Sequence, residues 1–238
     1  MKRNLFLMAL AGAVTMATLA ASPAQAAPMY FQHYGLGVSG LEFQAPFYFR
    51  AFAGQLMVDQ TGTATNTADD FAVYCVDITN PKSLIQDVVI RPLSELPDNG
   101  NPYRVQPDAG ERVAWLLNQY GTDQWLATEG NFRAAALQIA IWEVLYDRHG
   151  AYDVTGGEFR WLWATINANS KVYAYTTGYL GALGNSRSEA LWYDVNLQEM
   201  KGQDFARGLP VPEPVSTMML LASGLVALGC FARRRPNL

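Results

Sequence analysis

Residues 131–148 read NFRAAALQIAIWEVLYDR, the strongest helical pattern in the chain. Counted from Gln138, apolar residues recur at offsets of −4, +3, +4 and +7, which share one helix face: Ala134, Ile141, Trp142 and Leu145. The pattern predicts a core helix whose buried face carries Gln138, with Glu143 and Asp147 on the solvated face. A buried amide without partners costs about 1–3 kcal/mol, so Gln138 should be hydrogen-bonded or chemically altered.

Strand patterns lie on both sides of this helix. Residues 71–78, FAVYCVDI, are rich in aromatic and β-branched types that fit a pleated sheet. Residues 84–90 and 191–197 also predict strands. The aromatic and apolar stretch 41–60 predicts strands interrupted at Ala53-Gly54, followed by a polar loop that begins at Asp59 and ends at Asp70.

Helical patterns complete the middle of the chain. One helix is predicted from Ala109 to Tyr120, with Asp108 as its N-cap and Gly121 as its C-terminal stop. Asn131 is the expected cap of the core helix, and a third helical stretch lies within residues 158–183. The order of strands, helices and strands predicts an α+β domain over residues 27–210, with a mostly antiparallel sheet and a central helical segment.

The N-terminal residues 1–26 have the pattern of a secretory signal peptide. Lys2 and Arg3 precede an apolar run, which closes on Ala24-Gln25-Ala26. A charged region, an apolar region and an A-x-A cleavage site define such a peptide. We expect cleavage after Ala26 and export of the rest of the chain; a short membrane anchor or a buried helix is the alternative.

Residues 211–238 form a second targeting pattern. Val211-Pro212-Glu213-Pro214 precedes the uncharged segment 215–232, and Arg233, Arg234 and Arg235 follow it. The 18 residues of this segment are near the lower limit for a membrane-spanning helix. The Arg cluster is expected to stay cytoplasmic.

This three-part tail closely resembles a PEP-CTERM protein-sorting signal. The resemblance implies that the chain is a substrate of exosortase, a membrane cysteine transpeptidase of Gram-negative bacteria. It also implies transient anchoring in the inner membrane by the C-terminal helix, then processing near the motif and location at the cell surface or in the extracellular matrix. A plain C-terminal membrane anchor is the alternative.

Charge and composition exclude several functions. The chain has 17 Lys and Arg against 21 Asp and Glu, so nucleic acid is not expected as a partner. With Lys2, Arg3 and Arg233 to Arg235 set aside, 12 basic residues remain, a net charge of about −9. The two His residues make a His-built metal site unexpected, and no cofactor is implied.

Cys75 is an unpaired thiol in a chain expected to be exported. The other cysteine, Cys230, lies in the tail segment and is not a plausible disulfide partner. One chemistry accounts for both Cys75 and Gln138: the thiol attacks the amide carbon, expels ammonia and leaves a thioester that amines or hydroxyls can open. The alternatives are a buried inert Cys and a Gln bonded to a neighbouring backbone group.

The residues around this pair resemble the thioester domain of bacterial surface adhesins. The matching stretches are Tyr74-Cys75-Val76-Asp77 and Gln138-Ile139-Ala140-Ile141-Trp142, with Leu137 where the family usually has Thr. The resemblance implies a Cys75–Gln138 cross-link supported by Tyr74, Asp77, Ala140, Ile141 and Trp142. It also implies covalent adhesion to an amine- or hydroxyl-bearing surface or polysaccharide target.

Other residue groups are weaker candidates. Asp69, Asp70 and Asp77 lack the spacing of an EF-hand. An aromatic set could line a sugar-binding face or pack in the core: Trp161, Trp163, Tyr173, Tyr175 and Tyr179. No catalytic Ser/His/Asp group or phosphate loop stands out, and we expect a non-enzyme. Two classes remain, a covalent adhesin and a passive structural or exopolysaccharide-associated surface protein.

Overall fold

The computed structural model describes residues 27–45, 47–59, 70–79, 85–96, 106–122, 126–147, 152–195 and 203–209. The predicted signal peptide, the sorting tail and most of the predicted loop that ends at Asp70 lie outside these residues. Within them, no helix is both long and apolar enough to cross a membrane.

Six antiparallel strands close into a ring. The described residues form seven strands: β1 (Ala27–Gln44), β2 (Tyr48–Asp59), β3 (Phe71–Cys75), β4 (Ile85–Pro92), β5 (Arg160–Trp161), β6 (Leu191–Asp194) and β7 (Phe205–Arg207). Neighbours follow the order β2-β3-β7-β6-β4-β1, and β1 pairs again with β2. The ring is a small barrel, with β5 added on the outer end of β1. The sheet is antiparallel throughout, as the strand patterns predict.

The predicted interruption at Ala53-Gly54 is wrong, because β2 continues through it. Gly54 has a φ of 148° and lies opposite Gly37 of β1, where the register shifts. A Cβ at Gly54 would lie 2.3 Å from the carbonyl oxygen of Leu36. The glycine therefore lets the two strands approach at an irregular point that a larger residue would push apart.

Three strand ends differ from the prediction, and one of them is the end of β4, which reaches Pro92 instead of stopping at Ile90. β3 ends at Cys75 instead of continuing to residue 78, because the backbone turns at Asp77. The Asp77 carboxylate accepts hydrogen bonds from the N–H and the hydroxyl of Thr79, at 2.8 and 2.6 Å. Side-chain bonds of this type favour a turn over a strand. β6 ends at Asp194, because the next N–H, that of Val195, donates a hydrogen bond to the Asp204 carboxylate instead of to a neighbouring strand.

The helices pack against one side of the barrel. They are α1 (Ala109–Tyr120), α2 (Gly130–Tyr146), α3 (Trp163–Ile166) and α4 (Ser170–Leu183). The bounds of α1 agree with the prediction, and its C-terminal Gly121 donates its N–H to the Leu117 carbonyl. The stretch 158–183 is only partly helical, since β5 and a 3₁₀ turn at Asn167–Asn169 occupy part of it.

Two predicted helix caps have other roles. The Asp108 carboxylate makes no capping bond and instead pairs with Arg112 and Arg187, at 2.8 and 2.6 Å. These guanidinium groups hold the pKa of Asp108 below its ordinary value, against the effect of its partial burial. Asn131 lies inside α2, and its side-chain oxygen accepts the Gly37 N–H of β1. Both side chains therefore tie a helix to another part of the fold.

Helix α2 is central, and the predicted solvated face is wrong. The helix contacts α1, α4, β1 and β2, so every residue from 134 to 147 is buried. Glu143 and Asp147 are therefore in the interior. Burial, reinforced by the neighbouring Asp147 carboxyl, raises the pKa of Glu143 from 4.5 to about 9. A protonated Glu143 avoids the cost of burying two like charges.

Two apolar cores result. The smaller fills the barrel and consists of Met29, Leu56, Val58, Val73, Val88, Tyr193, Val195 and Phe205. The larger lies between the sheet and the helices, and α2 supplies its centre. Cys75 and Gln138 meet at the boundary between sheet and helices, so this packing fixes their relative position.

Candidate functional site

Cys75 is the last residue of β3. It pairs with Phe205 of β7, and its side chain is buried, with only 4% exposed. Successive side chains of a strand point to opposite faces, so Tyr74 and Cys75 lie on opposite sides of β3. The strand therefore presents the Cys75 thiol at the point where the backbone leaves the sheet.

Gln138 occupies the middle of α2 and faces Cys75. Its side-chain oxygen accepts the Cys75 backbone N–H at 2.9 Å, and its amide nitrogen donates to the Cys75 carbonyl oxygen at 2.8 Å. These two bonds satisfy the buried amide and fix its orientation. The predicted pair is thus brought together across 63 residues of sequence.

The segment after Cys75 holds the thiol in place. Cys75 Sγ donates to the Asp77 carbonyl oxygen at 3.0 Å, and the same oxygen accepts a bond from the Gln203 amide at 3.0 Å. The Tyr146 hydroxyl of α2 accepts the Ile78 N–H and donates to the Val76 carbonyl. The turn after β3 is therefore tied to the helix that carries Gln138.

A pocket of about 270 Å³ leads to this pair. Its described lining is Tyr34, Phe49, Arg50, Ala51, Phe52, Gly54, Leu56, Cys75, Ile78, Gln138, Trp142 and Gln203. The pocket reaches the surface, because Tyr34 is half exposed and Arg50 is exposed. A small molecule or an extended side chain can thus approach Cys75 and Gln138 from solvent.

Trp142 forms part of the pocket wall, one helical turn after Gln138. Its ring packs against Phe43, Phe49 and Phe159, with centroids 5.4, 6.0 and 6.3 Å away. The contacts with Phe43 and Phe49 are edge-to-face and the contact with Phe159 is tilted, and together they give a rigid, apolar wall. Trp142 therefore shields one side of the Cys75–Gln138 contact from water.

The other predicted support residues do not line the pocket. Tyr74 is buried in the large core, and burial raises the pKa of its hydroxyl. Ala140 and Ile141 pack in the same core. Asp77 acts through its backbone carbonyl and its turn. The seven sorting residues, Val211 to Pro214 and Arg233 to Arg235, lie outside the described part of the chain.

Several pocket residues were missed by sequence reasoning. Tyr34, Arg50 and Phe52 come from β1 and β2, and Gln203 lies just before β7. Their spacing carries no motif, and only the folding of β1 onto β2 brings them to the Cys75 end of β3. The aromatic content of residues 41–60 is the one sequence signal that pointed to this region.

The alternative residue groups do not assemble into a site. Trp161 and Tyr179 are buried, whereas Trp163 is exposed, so the predicted aromatic set does not share one surface. Across the described ranges, no group of three His, Cys, Asp or Glu side chains is placed to hold a metal ion. Among the residues predicted from the sequence, the Cys75–Gln138 contact thus remains the candidate site.

Comparisons with known proteins give two similar structures. No protein-family model and no curated protein sequence matches the chain. The N-terminal thioester domain of a protein F2-like fibronectin-binding protein from Streptococcus pneumoniae is 13% identical, with a TM-score of 0.42, over 76% of this chain and 92% of that one. The N-terminal thioester domain of the fibronectin-binding protein SfbI from Streptococcus pyogenes is 12% identical, with a TM-score of 0.40, over 72% and 95%.

Proposed function

We propose that this chain is a surface adhesin-like protein that forms an internal Cys75–Gln138 thioester and uses it for covalent attachment. The observation that carries the proposal is the reciprocal pair of hydrogen bonds between the Gln138 amide and the Cys75 backbone, beside a pocket open to solvent. A Cys and a Gln in contact, buried and reachable from one side, are the reactants that this chemistry needs.

The hydrogen bonds support bond formation by the Cys75 thiol. When Sγ attacks the side-chain carbon of Gln138, negative charge develops on the amide oxygen. The Cys75 N–H already donates to that oxygen and stabilises such charge, as backbone donors do in acyl transfer. The C–N bond then breaks, the thiol proton moves to the leaving nitrogen, and ammonia is released.

The thioester is consumed when it attaches. A nucleophile entering the pocket forms a bond to the Gln138 carbon, the C–S bond breaks, and the proton of the nucleophile returns to Cys75. Each molecule reacts once, so the protein is an attachment device and not an enzyme. The Trp142 wall supports this role, because shielding from water slows loss of the thioester by hydrolysis.

We further propose export and sorting by the two terminal signals. Residues 1–26 direct secretion, and residues 211–238 anchor the chain in the inner membrane of a Gram-negative bacterium until exosortase processes it near Val211-Pro212-Glu213-Pro214. The attachment domain is then delivered to the cell surface or the extracellular matrix. A site that reacts covalently with surface or matrix molecules is useful only after such delivery.

One observation favours a second function. The two bonds to Cys75 satisfy the Gln138 amide without any covalent bond, so the site is also stable with both side chains unreacted. In that case the protein is a passive surface or exopolysaccharide-associated protein. The protein with the thioester is lighter than the unreacted protein by the mass of one ammonia, so the mass distinguishes the two functions.

Intact-mass spectrometry of the purified protein tests the proposal. A Cys230→Ser background leaves Cys75 as the single thiol. This protein should lack the mass of one ammonia and should gain one methylamine on incubation with that amine. Cys75→Ala and Gln138→Ala, made in the same background, should show their calculated masses and no methylamine uptake.

Thiol alkylation must be carried out in denaturant. Cys75 is buried, so an unreacted thiol in the folded protein would also resist alkylation. In denaturant a free thiol is exposed and would be alkylated, so resistance to alkylation together with the missing mass of one ammonia identifies the thioester. Freshly prepared protein with its full mass and an alkylatable Cys75 would reject the thioester and favour the passive surface protein.

A further inference from the structure

The charge of the pocket at Cys75 and Gln138 comes from a single basic side chain among the described lining residues. Arg50 is the one charged side chain among its described lining residues, and none of them is Asp, Glu, His or Lys. Glu42 lies opposite Arg50 in the β1–β2 register, but it does not line the pocket. An incoming ammonium group thus meets a guanidinium and no carboxylate.

The mouth of the pocket is aromatic. Tyr34 and Phe52 pack together with ring centroids 4.5 Å apart, and about half of Tyr34 is exposed. Two polar groups accompany the rings: the Arg50 guanidinium, whose Nε donates to the Gly40 carbonyl, and the Gln203 amide, which donates to the Asp77 carbonyl. Each group carries more N–H donors than this one bond uses. Apolar ring faces beside hydrogen-bond donors match a sugar, whose C–H faces stack on aromatic rings and whose hydroxyls lie at the edges.

The lining also restricts the reacting group. A lysine amine has a pKa of about 10.4, so at neutral pH it is nearly all ammonium and must lose a proton before it can attack. A sugar hydroxyl attacks poorly without a general base, and no described lining residue is a base of that kind. A weakly basic amine avoids both obstacles, because it is largely uncharged and attacks through its lone pair.

We infer that the nucleophile received by this pocket is the free amine of an unacetylated amino sugar in a polysaccharide. The ring oxygens and hydroxyls of such a sugar withdraw electrons and make its amine less basic than that of lysine. The sugar ring stacks on Tyr34, and its nitrogen bonds to the Gln138 carbon. The C–S bond breaks, one nitrogen proton moves to Cys75, and an amide and a free thiol result.

The inference rests on the proposed function, so the test begins with the ammonia-deficient protein. The Cys230→Ser protein is incubated at neutral pH with glucosamine, N-acetylglucosamine, glucose, N-acetyl-lysine amide or glycinamide, and adducts are followed by intact mass. Glucosamine should react at least about tenfold faster than the lysine compound, which is mostly protonated. The two sugars without a free amine should give no adduct. Glycinamide, a weakly basic amine without a ring, separates basicity from ring recognition.

Two variants test the lining directly. Tyr34→Ala should lower the rate of adduct formation with glucosamine by about fivefold and leave the rate with glycinamide unchanged, because only the sugar ring stacks on Tyr34. Tyr48→Ala is its control, an exposed tyrosine outside the pocket. Arg50→Glu should raise the rate of the lysine compound relative to glucosamine by about tenfold. Arg160→Glu makes the same charge change outside the pocket and should leave that ratio unchanged.

The outcomes separate the two proposals. If the wild-type protein has its full calculated mass, both the thioester and the sugar inference are rejected. Ammonia-deficient protein that reacts with the lysine compound as fast as with glucosamine, or that treats glucosamine and glycinamide alike, keeps the thioester and overturns the inference. A variant that retains the ammonia deficit has formed the thioester, so a changed rate then reports on the pocket and not on misfolding.

Discussion

The Glu143 side chain is protonated at neutral pH because it is buried. Its pKa is raised from 4.5 to about 9, first by burial and then by the Asp147 carboxyl. A hydrogen bond with the Asp153 backbone lowers this pKa, the charge of Asp153 raises it, and Tyr152 lies nearby. The folded state therefore binds this proton more tightly than the unfolded state. The stability that Glu143 contributes is complete below pH 4.5 and is lost as the pH rises through about 9.

Glu143→Gln should flatten this pH dependence. Glutamine keeps the shape and cannot ionise, so at pH above 9 the variant should exceed wild type in free energy of unfolding by at least about 1.4 kcal/mol, the equivalent of one pKa unit. Denaturant unfolding across a pH series measures it, in a Cys75→Ala background that fixes the covalent state. Asp87→Asn, on an exposed position of β4, is the control. An unchanged pH profile for Glu143→Gln would mean that Glu143 is ionised in the fold.

Trp142 joins the pocket wall to the large core. Its contacts with three phenylalanine rings predict that Trp142→Ala lowers the free energy of unfolding by about 3–5 kcal/mol. Trp163→Ala removes the same side chain from a position that is 60% exposed and should cost less than about 0.5 kcal/mol. Thermal or denaturant unfolding compares them. Equal melting temperatures for Trp142→Ala and wild type would contradict the packing of α2.

At the scale of the elements, the β1–β2 pairing depends on Gly54. Gly54→Ala would place a methyl group against the Leu36 carbonyl in a backbone conformation that disfavours alanine. We expect a loss of about 2–3 kcal/mol in the free energy of unfolding. Gly178→Ala, in α4 with open space around it, should instead stabilise by up to about 1 kcal/mol. Similar effects of the two changes would show that the bulge at Gly54 accepts a side chain.

The sequence predicts elements best where their patterns are regular. Helix α1 has a clean apolar stripe and a glycine stop, and its bounds agree with the structure. β1 was missed before residue 41, because its register shifts after Phe31, Tyr34 and Val38 break the alternation of a regular strand. β7 has three residues and is too short to give a pattern.

The site was predicted only in part. Cys75 and Gln138 carry a chemical signal in the sequence, and the structure brings them together. The rest of the pocket depends on how β1 and β2 meet β3, which no local pattern encodes. The error at Glu143 has a different cause: a helix in contact with other elements on all sides has no solvated face, whatever its polar residues indicate.

At the scale of the whole molecule, the predicted tail should determine location. Deleting residues 211–238 should release the exported domain without membrane anchoring, because the apolar segment 215–232 and its Arg cluster are removed. Cell fractionation and the mass of the mature protein measure this. The matched control replaces Glu213 with Gln and keeps the anchor, which separates loss of the motif from loss of the helix. A deleted form that is processed and located like the full chain would contradict the sorting prediction.

The closed ring of strands also limits how copies of the protein can associate. Each of the six ring strands has a neighbour on both sides, but β1 pairs with β4 only over Ala27–Tyr30 and β2 pairs with β3 only over Leu56–Val58. Where both edges of a strand are paired, a neighbouring molecule cannot add a strand, so association by strand addition is confined to the stretches that are paired on one edge. Under the proposed function, each copy attaches through its own Cys75–Gln138 site, so the density of a layer of attached copies would follow the number of available acceptor groups.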